Sequence, residues 1–130
     1  MKSEMGDGSA AHKIHIGKLG EDMAATYLRN KGWKILERNY KARYGEIDIV
    51  ARDHETLVFV EIKTRIGDRY GTPEESVTPR KLREVVETTQ FYKTLHPNLP
   101  DSLRIDVIGI VLDPEAKSPI YFNHTENVTL

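Results

Sequence analysis

The sequence predicts an α/β fold: a mixed β-sheet flanked by helices, in the order α-β-β-β-α-β with a further edge strand. Three observations carry that prediction. A helix-period apolar stripe runs through residues 16–28, and two alternating apolar runs, residues 44–51 and 57–64, flank a short polar turn. A Thr-Pro helix start at Thr78-Pro79 leads, one helix later, into the nearly unbroken apolar run of residues 104–112. At 130 residues and 38% hydrophobic, the chain has the length of one domain and the material for a core.

Each element has a local reason. Residues 1–11, rich in Gly, Ser and Ala without a period, read as a flexible tail, with residues 12–130 forming the domain. Ile16, Leu19, Gly20, Met23, Ala24, Tyr27 and Leu28 share one helical face, and Gly32 is a natural stop after Arg29 and Lys31. Residues 33–40 alternate loosely, as a short strand does. Residues 65–77 hold two Gly, a Pro and no period, and so predict a loop. Leu82, Val85, Val86, Thr89 and Tyr92 continue the helix opened by Thr78-Pro79 as far as residue 95, before His96-Pro97. Residues 104–112 read as a strand buried on both faces, and residues 120–122 as an edge strand. A strand–helix–strand crossover favours a parallel pair, which makes the sheet mixed.

Composition excludes several chemistries. With no cysteine there are no disulfides, thiolate zinc sites, iron–sulfur clusters or cysteine nucleophiles. No apolar run approaches a membrane span, and no secretory pattern opens the chain, so a cytoplasmic protein with no membrane partner is expected. The net charge of −1 argues at first sight against nucleic acid, but it hides a polarity. Residues 29–83 carry thirteen basic and nine acidic groups; residues 84–130 carry three and seven. His12 and His15 have metal-like spacing at the loose start. Trp33, Tyr27 and Tyr92 are expected in the core, while Tyr40, Tyr44 and Tyr70 lie near loops where they could stack on bases.

The hairpin is the sharpest feature. If its turn centres between His54 and Glu55, paired residue numbers sum to 109. Ile47, Ile49 and Ala51 then face Ile62, Val60 and Val58 on one apolar side, because a one-residue slip would turn every side chain over. On the other side Asp48 opposes Glu61, and Glu46 opposes Lys63. Directly opposed carboxylates are destabilising unless a proton, a basic group or a cation neutralises them. A hard divalent cation with oxygen ligands answers this best. A salt-bridged, solvated strand face is the alternative.

Gly45-Glu46-Ile47-Asp48 followed by Val60-Glu61-Ile62-Lys63-Thr64-Arg65 resembles the Asp…Glu-x-Lys core of the PD-(D/E)xK nuclease superfamily, with Ile47 where the motif has Pro. More closely, the chain is similar to the YraN-like family of small bacterial proteins, predicted endonucleases related to archaeal Holliday-junction resolvases. The likeness runs from Gly17 to about residue 111. It includes Gly17-Lys18-Leu19-Gly20-Glu21, the segment from Gly32 to Tyr40, Gly71-Thr72-Pro73 and Arg104-Ile105-Asp106-Val107.

This resemblance implies a restriction-endonuclease-like fold and a metal-dependent endonuclease acting on DNA, with branched or structured DNA such as Holliday junctions among its substrates. It implies Mg²⁺ or Mn²⁺ held by Asp48, Glu61, the backbone carbonyl of Ile62 and Glu21. Lys63 would orient the attacking water or stabilise the transition state. A homodimer is implied as well, since two strands need two sites. Arg43, Arg65, Arg80 and Lys81 are the candidate phosphate contacts, the last two at a helix start where basic groups oppose the macrodipole. For each of them a solvated basic face is the alternative. The rival to the enzyme is a non-catalytic nucleic-acid-binding module that keeps the nuclease fold.

Overall fold

Helix α1 (Ala10–Asn30) opens the chain in the computed structural model, which describes residues 10–67, 71–115 and 117–128, with side chains from residue 15 onward. The tail expected over residues 1–11 lies outside these except for its last two residues, which are helical. The side chain of His12 and all of Tyr70 also lie outside the described residues. The predicted stripe faces inward: Ile16, Ala24, Ala25 and Leu28 are buried, and Leu19, Met23 and Tyr27 are partly so. The helix stops where Gly32 turns left-handed at φ 90°. There the Gly32 amide donates to the Arg29 carbonyl at 2.9 Å and the Trp33 amide to the Leu28 carbonyl at 3.1 Å.

Five strands follow, β1 (Lys34–Ala42), β2 (Gly45–Asp53), β3 (Thr56–Ile66), β4 (Ser102–Leu112) and β5 (Pro119–Thr125), with helix α2 (Pro79–Leu95) between β3 and β4. They form one sheet in the order β1-β2-β3-β4-β5. The β3–β4 pair is parallel, as the crossover requires, and the other neighbours are antiparallel. The mixed sheet flanked by two helices is consistent with a restriction-endonuclease-like fold. β1 and β5 run longer than the sequence signals suggest, because both sit at the sheet edge, where half-exposed residues blur the alternation. The stretch expected as loop contains a 3₁₀ turn, Pro73–Ser76, whose Glu74 carboxylate accepts from Tyr121 Oη at 2.5 Å and Asn123 Nδ2 at 2.8 Å. Thr78 caps α2 as predicted, its Oγ1 accepting from the Lys81 amide at 3.1 Å.

The two faces of the sheet carry separate cores. Val58, Val60 and Ile62 of β3, with Ile49 and Ala51 of β2 and Ile108, Ile110 and Leu112 of β4, pack against α1 and Trp33. Val50, Leu57 and Phe59 pack against Tyr92 of α2 on the opposite side. Tyr40 belongs to this second core, edge-on to Tyr92 with ring centroids 4.9 Å apart, so it is not free to stack on bases. Trp33 and Tyr92 are buried, as expected.

The hairpin register agrees with the expected sum from Ile49–Val60 down to Asp53–Thr56. Beyond Ile49 it departs. Alternation places Ile47 beside Ile49, but Ile47 packs with Val50, Phe59 and Tyr92 on the α2 side. The reversal coincides with the end of the β2–β3 ladder at Ile49–Val60, and opposite it in β1 Asn39 takes a left-handed φ of 53°.

Helix α1 rests on β3 through a glycine. A Cβ on Gly20 would lie 1.8 Å from Thr64 Oγ1 and 2.9 Å from Thr64 Cβ, too close for the Thr side chain to escape by rotation. Gly20→Ala gains about 1 kcal/mol of helix propensity but incurs overpacking of roughly 1–3 kcal/mol. Urea denaturation should therefore give a net loss of stability; a midpoint at or above wild type would contradict the close seating of α1.

Candidate active site

Past Ile49 and Val60 the β2–β3 ladder gives way to a side chain. Asp48 Oδ2 accepts the Ile62 amide at 2.8 Å, so a carboxylate takes the place of a strand partner. β3 remains paired to β4 on its other side as far as Ile66–Leu112. Asp48 and Glu61 thus sit at the mouth of a divergence between two strands, with α1 over one side and α2 over the other.

Both acids are largely withdrawn from water. Burial raises the Asp48 carboxyl to about 6, with Glu21 and Glu46 adding repulsion, against the opposing pull of the Ile62 amide and Lys81. Burial also raises Glu61, to about 7, with Asp48 the next contributor and Lys81 and Lys63 opposing. Among the described residues Glu61 accepts no hydrogen bond, and its nearest cation is Lys81 Nζ at 3.9 Å. A pair of repelling carboxylates, Glu61 buried and Asp48 half-buried, with one oxygen set unengaged is a hard, all-oxygen donor set of the kind that suits a divalent cation.

Glu21, on α1, lies near enough to repel Asp48, but among the described residues Glu21, Asp48 and Glu61 do not form a converged three-ligand group. Glu21 adds charge to Asp48 while accepting from Asn39 Nδ2 at 2.9 Å, with Arg38 Nη2 at 3.5 Å. Lys63 is exposed two residues beyond Glu61. The expected Glu46–Lys63 pairing does not occur: Glu46 is exposed and registers with Lys41 of β1. Lys81, expected as a phosphate contact, reaches Glu61 instead. Sequence alone hides this, because only the crossover brings the start of α2 over β3. Arg80 is exposed, 3.9 Å from Glu84. Arg65 is half-buried and donates to the Thr72 carbonyl at 3.4 Å. Arg43 is exposed in the β1–β2 turn, its guanidinium 5.7 Å from the Tyr44 ring centre. These arginines do not converge with the acids as one cluster.

A second polar group escaped the sequence reading. Asp106, Glu126 and His124 bring one ligand atom each within 4.8 Å of one another, a grouping that could hold a metal ion. Those atoms already have partners. Asp106 is fully buried and accepts from Arg104 Nε at 2.9 Å, Arg104 Nη2 at 3.1 Å and the Asn127 amide at 3.0 Å. His124 Nε2 lies 2.8 Å from Asp106 and its Nδ1 2.9 Å from Tyr27 Oη. Burial pushes Asp106 up, yet the bonds from His124, Arg104 and Asn127 outweigh it and hold the carboxyl below its usual range. A metal here would have to displace a guanidinium. The Arg104-x-Asp106 spacing, which puts both on one strand face, was the available signal.

Residues 20–110 match the profile of the uncharacterised protein family UPF0102. The chain belongs to this family. It is 45% identical over 112 residues to a UPF0102 protein of Syntrophomonas wolfei, covering 86% of this chain and 95% of that one. A UPF0102 protein of Geobacter sulfurreducens is 46% identical over 113 residues, 86% of this chain and 88% of its own. The UPF0102 protein of Persephonella marina shares 47% over 95 residues, 73% of this chain and 82% of its own. The matched span contains Glu21, Asp48, Glu61, Lys63 and Lys81. No helix among the described residues is long and apolar enough to cross a membrane.

Two stability experiments follow. A carboxyl raised on folding stabilises below its unfolded value and loses that contribution as pH rises through its folded value. In EDTA, wild type should therefore lose stability relative to Asp48→Asn as pH climbs through about 6 to 7. Thermal melts at pH 5 and 8 would show the gap widening, and added Mg²⁺ should close it for wild type only; parallel curves would refute the strained pair. Asp106→Ala leaves Arg104 without its buried counter-charge and should cost about 3–5 kcal/mol in urea. A loss below about 1 kcal/mol would show the network to be dispensable.

Proposed function

We propose that this protein is a metal-dependent endonuclease that hydrolyses DNA phosphodiesters, a member of the PD-(D/E)xK superfamily, with structured or branched DNA among its substrates. The observation that supports the reading is the placement of Asp48 and Glu61: a half-buried and a buried carboxylate from adjacent strands, mutually repelling, at the open end of a hairpin, with Lys63 beside them. Asp48, Glu61, the Ile62 carbonyl and Glu21 would hold Mg²⁺ or Mn²⁺. Such an ion, when bound, neutralises charge on the phosphoryl oxygens and activates water.

The protein's own groups divide the remaining work. The Ile62 amide fixes the orientation of the Asp48 carboxylate, so that its second oxygen is free to act as a ligand. Asn39 and Arg38 do the same for Glu21. Lys63, exposed on the strand next to Glu61, is placed to meet the attacking water or the charge that develops on phosphorus. In hydrolysis the water oxygen bonds to phosphorus, the bond to the 3′ oxygen breaks, and that oxygen takes up a proton. Lys81, 3.9 Å from Glu61, offsets part of the acids' charge. Arg43, Arg65 and Arg80 are the phosphate contacts in this reading, and two copies of the chain would be needed to cut two strands.

The test is cleavage of branched, single-stranded and duplex DNA with Mg²⁺ or Mn²⁺. Glu61→Gln and Lys63→Ala should each lower the rate by about 10²-fold or more, the usual effect of removing such a group. Equal rates in the variants would overturn the assignment. DNA binding without cleavage of any substrate would establish the non-catalytic binding module instead.

A further inference from the structure

The β1–β2 turn carries an aromatic pair that the active site does not account for. Tyr44 is 43% exposed and Phe91 of α2 is 36% exposed. Their ring centroids lie 6.1 Å apart, inclined at 68°. The Arg43 guanidinium lies over the outer part of the same group, 5.7 Å from the Tyr44 ring centre. Gly45 seats this turn on α2, since a Cβ there would lie 3.4 Å from Thr88 Oγ1 and 3.7 Å from Glu84 Cβ. Two neighbouring aromatic rings held partly in water, with a cation over one, offer a small mixed aromatic and cationic surface.

Two rulers place this surface relative to the acids. Along β2, Tyr44 lies four residues before Asp48, about 13 Å at strand rise. Along α2, Phe91 lies ten residues after Lys81, about 15 Å at helix rise, and Lys81 touches Glu61. The two agree. A single strand crossing the acids would reach the aromatics within a few nucleotides.

We infer that Tyr44 and Phe91, with Arg43, form a stacking platform for an unpaired nucleobase, a few nucleotides from the phosphate held at Asp48 and Glu61. The inference rests on the nuclease reading for that phosphate, and it names a substrate with a single-stranded segment beside the cut. Stacking needs a flat π surface with an exposed face, and a guanidinium beside it can meet the adjoining phosphate. A second copy of the chain is the poorer occupant. The two rings offer on the order of 200 Å², against the roughly 800 Å² per partner of a stable interface. Arg43 and Lys41 supply positive charge on the turn, while Glu84 and Glu87 on α2 keep the patch from being a purely electrostatic one.

The experiment measures fluorescence anisotropy in EDTA, so that no cleavage intervenes. The probes are a labelled oligothymidylate of roughly twenty nucleotides, longer than usual site sizes, and a blunt duplex of equal length. Tyr44→Ala and Phe91→Ala should each weaken binding of the single strand about ten-fold, leaving duplex binding within two-fold, and Tyr44→Phe should restore it. Unchanged thermal melts verify that these exposed substitutions leave the fold intact. Equal loss on both probes, no loss, or no single-strand binding by wild type overturns the platform. So does a change in sedimentation coefficient with DNA binding unaltered, which would make the patch a self-association surface. Cleavage separates the two claims. A wild type that cuts while the platform variants bind normally defeats the platform alone, and one that binds as described but never cuts defeats the nuclease alone.

Discussion

The hydrogen bond from the Ile62 amide to Asp48 is the constraint on which the candidate site turns. A strand amide must find an acceptor, and here it finds a carboxylate instead of a backbone carbonyl. That exchange ends the β2–β3 ladder, opens a gap between the strands, and aims the acid into it. It also lets Asp48 sit half out of water, since one of its oxygens is satisfied by the fold. The neighbouring Glu61 has no such bond among the described residues, and burial raises its carboxyl as well.

The sheet consequently behaves as two units. β1 and β2 stay paired from Lys34–Arg52 to Ala42–Gly45, with an irregularity between Ile35 and Glu37, and β3 stays on β4 from Thr56 to Ile66. Across the gap the units are joined by the lower half of the hairpin, by the Asp48 contact, and by the two cores, in which Ile49 packs with Val60 and Ile47 with Phe59. The two acids therefore ride on different units, and α1 and α2 bring Glu21 and Lys81 to them from opposite faces. Placing four charged groups from four elements near one another takes the whole topology.

Much of this was legible in the residues. The helical stripes, the Thr-Pro start of α2 and the apolar run of β4 are local signals, and local physics reads them. The hairpin register was legible for the same reason, since one buried face pins it. What the pattern could not reveal was the reversal at Asp48, because Ile47 is apolar on either face and the ladder it departs from ends in a side-chain contact. Nor could it pair Lys81 with Glu61 or Arg104 and Asp106 with His124, contacts made by chain segments far apart. Tyr40 shows the same limit: its place near a strand end looked accessible, and only the packing of α2 covers it.

The buried Asp106 network has a consequence for how the molecule comes apart. β5 is an edge strand paired on one side only, and such strands ordinarily fray first. Here His124 of β5, the Asn127 amide beyond it and Tyr27 of α1 are all tied, directly or through His124, to one carboxylate in the centre of the fold. Releasing β5 would strand that charge with fewer donors in a dry interior. β5 is thereby bound into the same cooperative unit as α1.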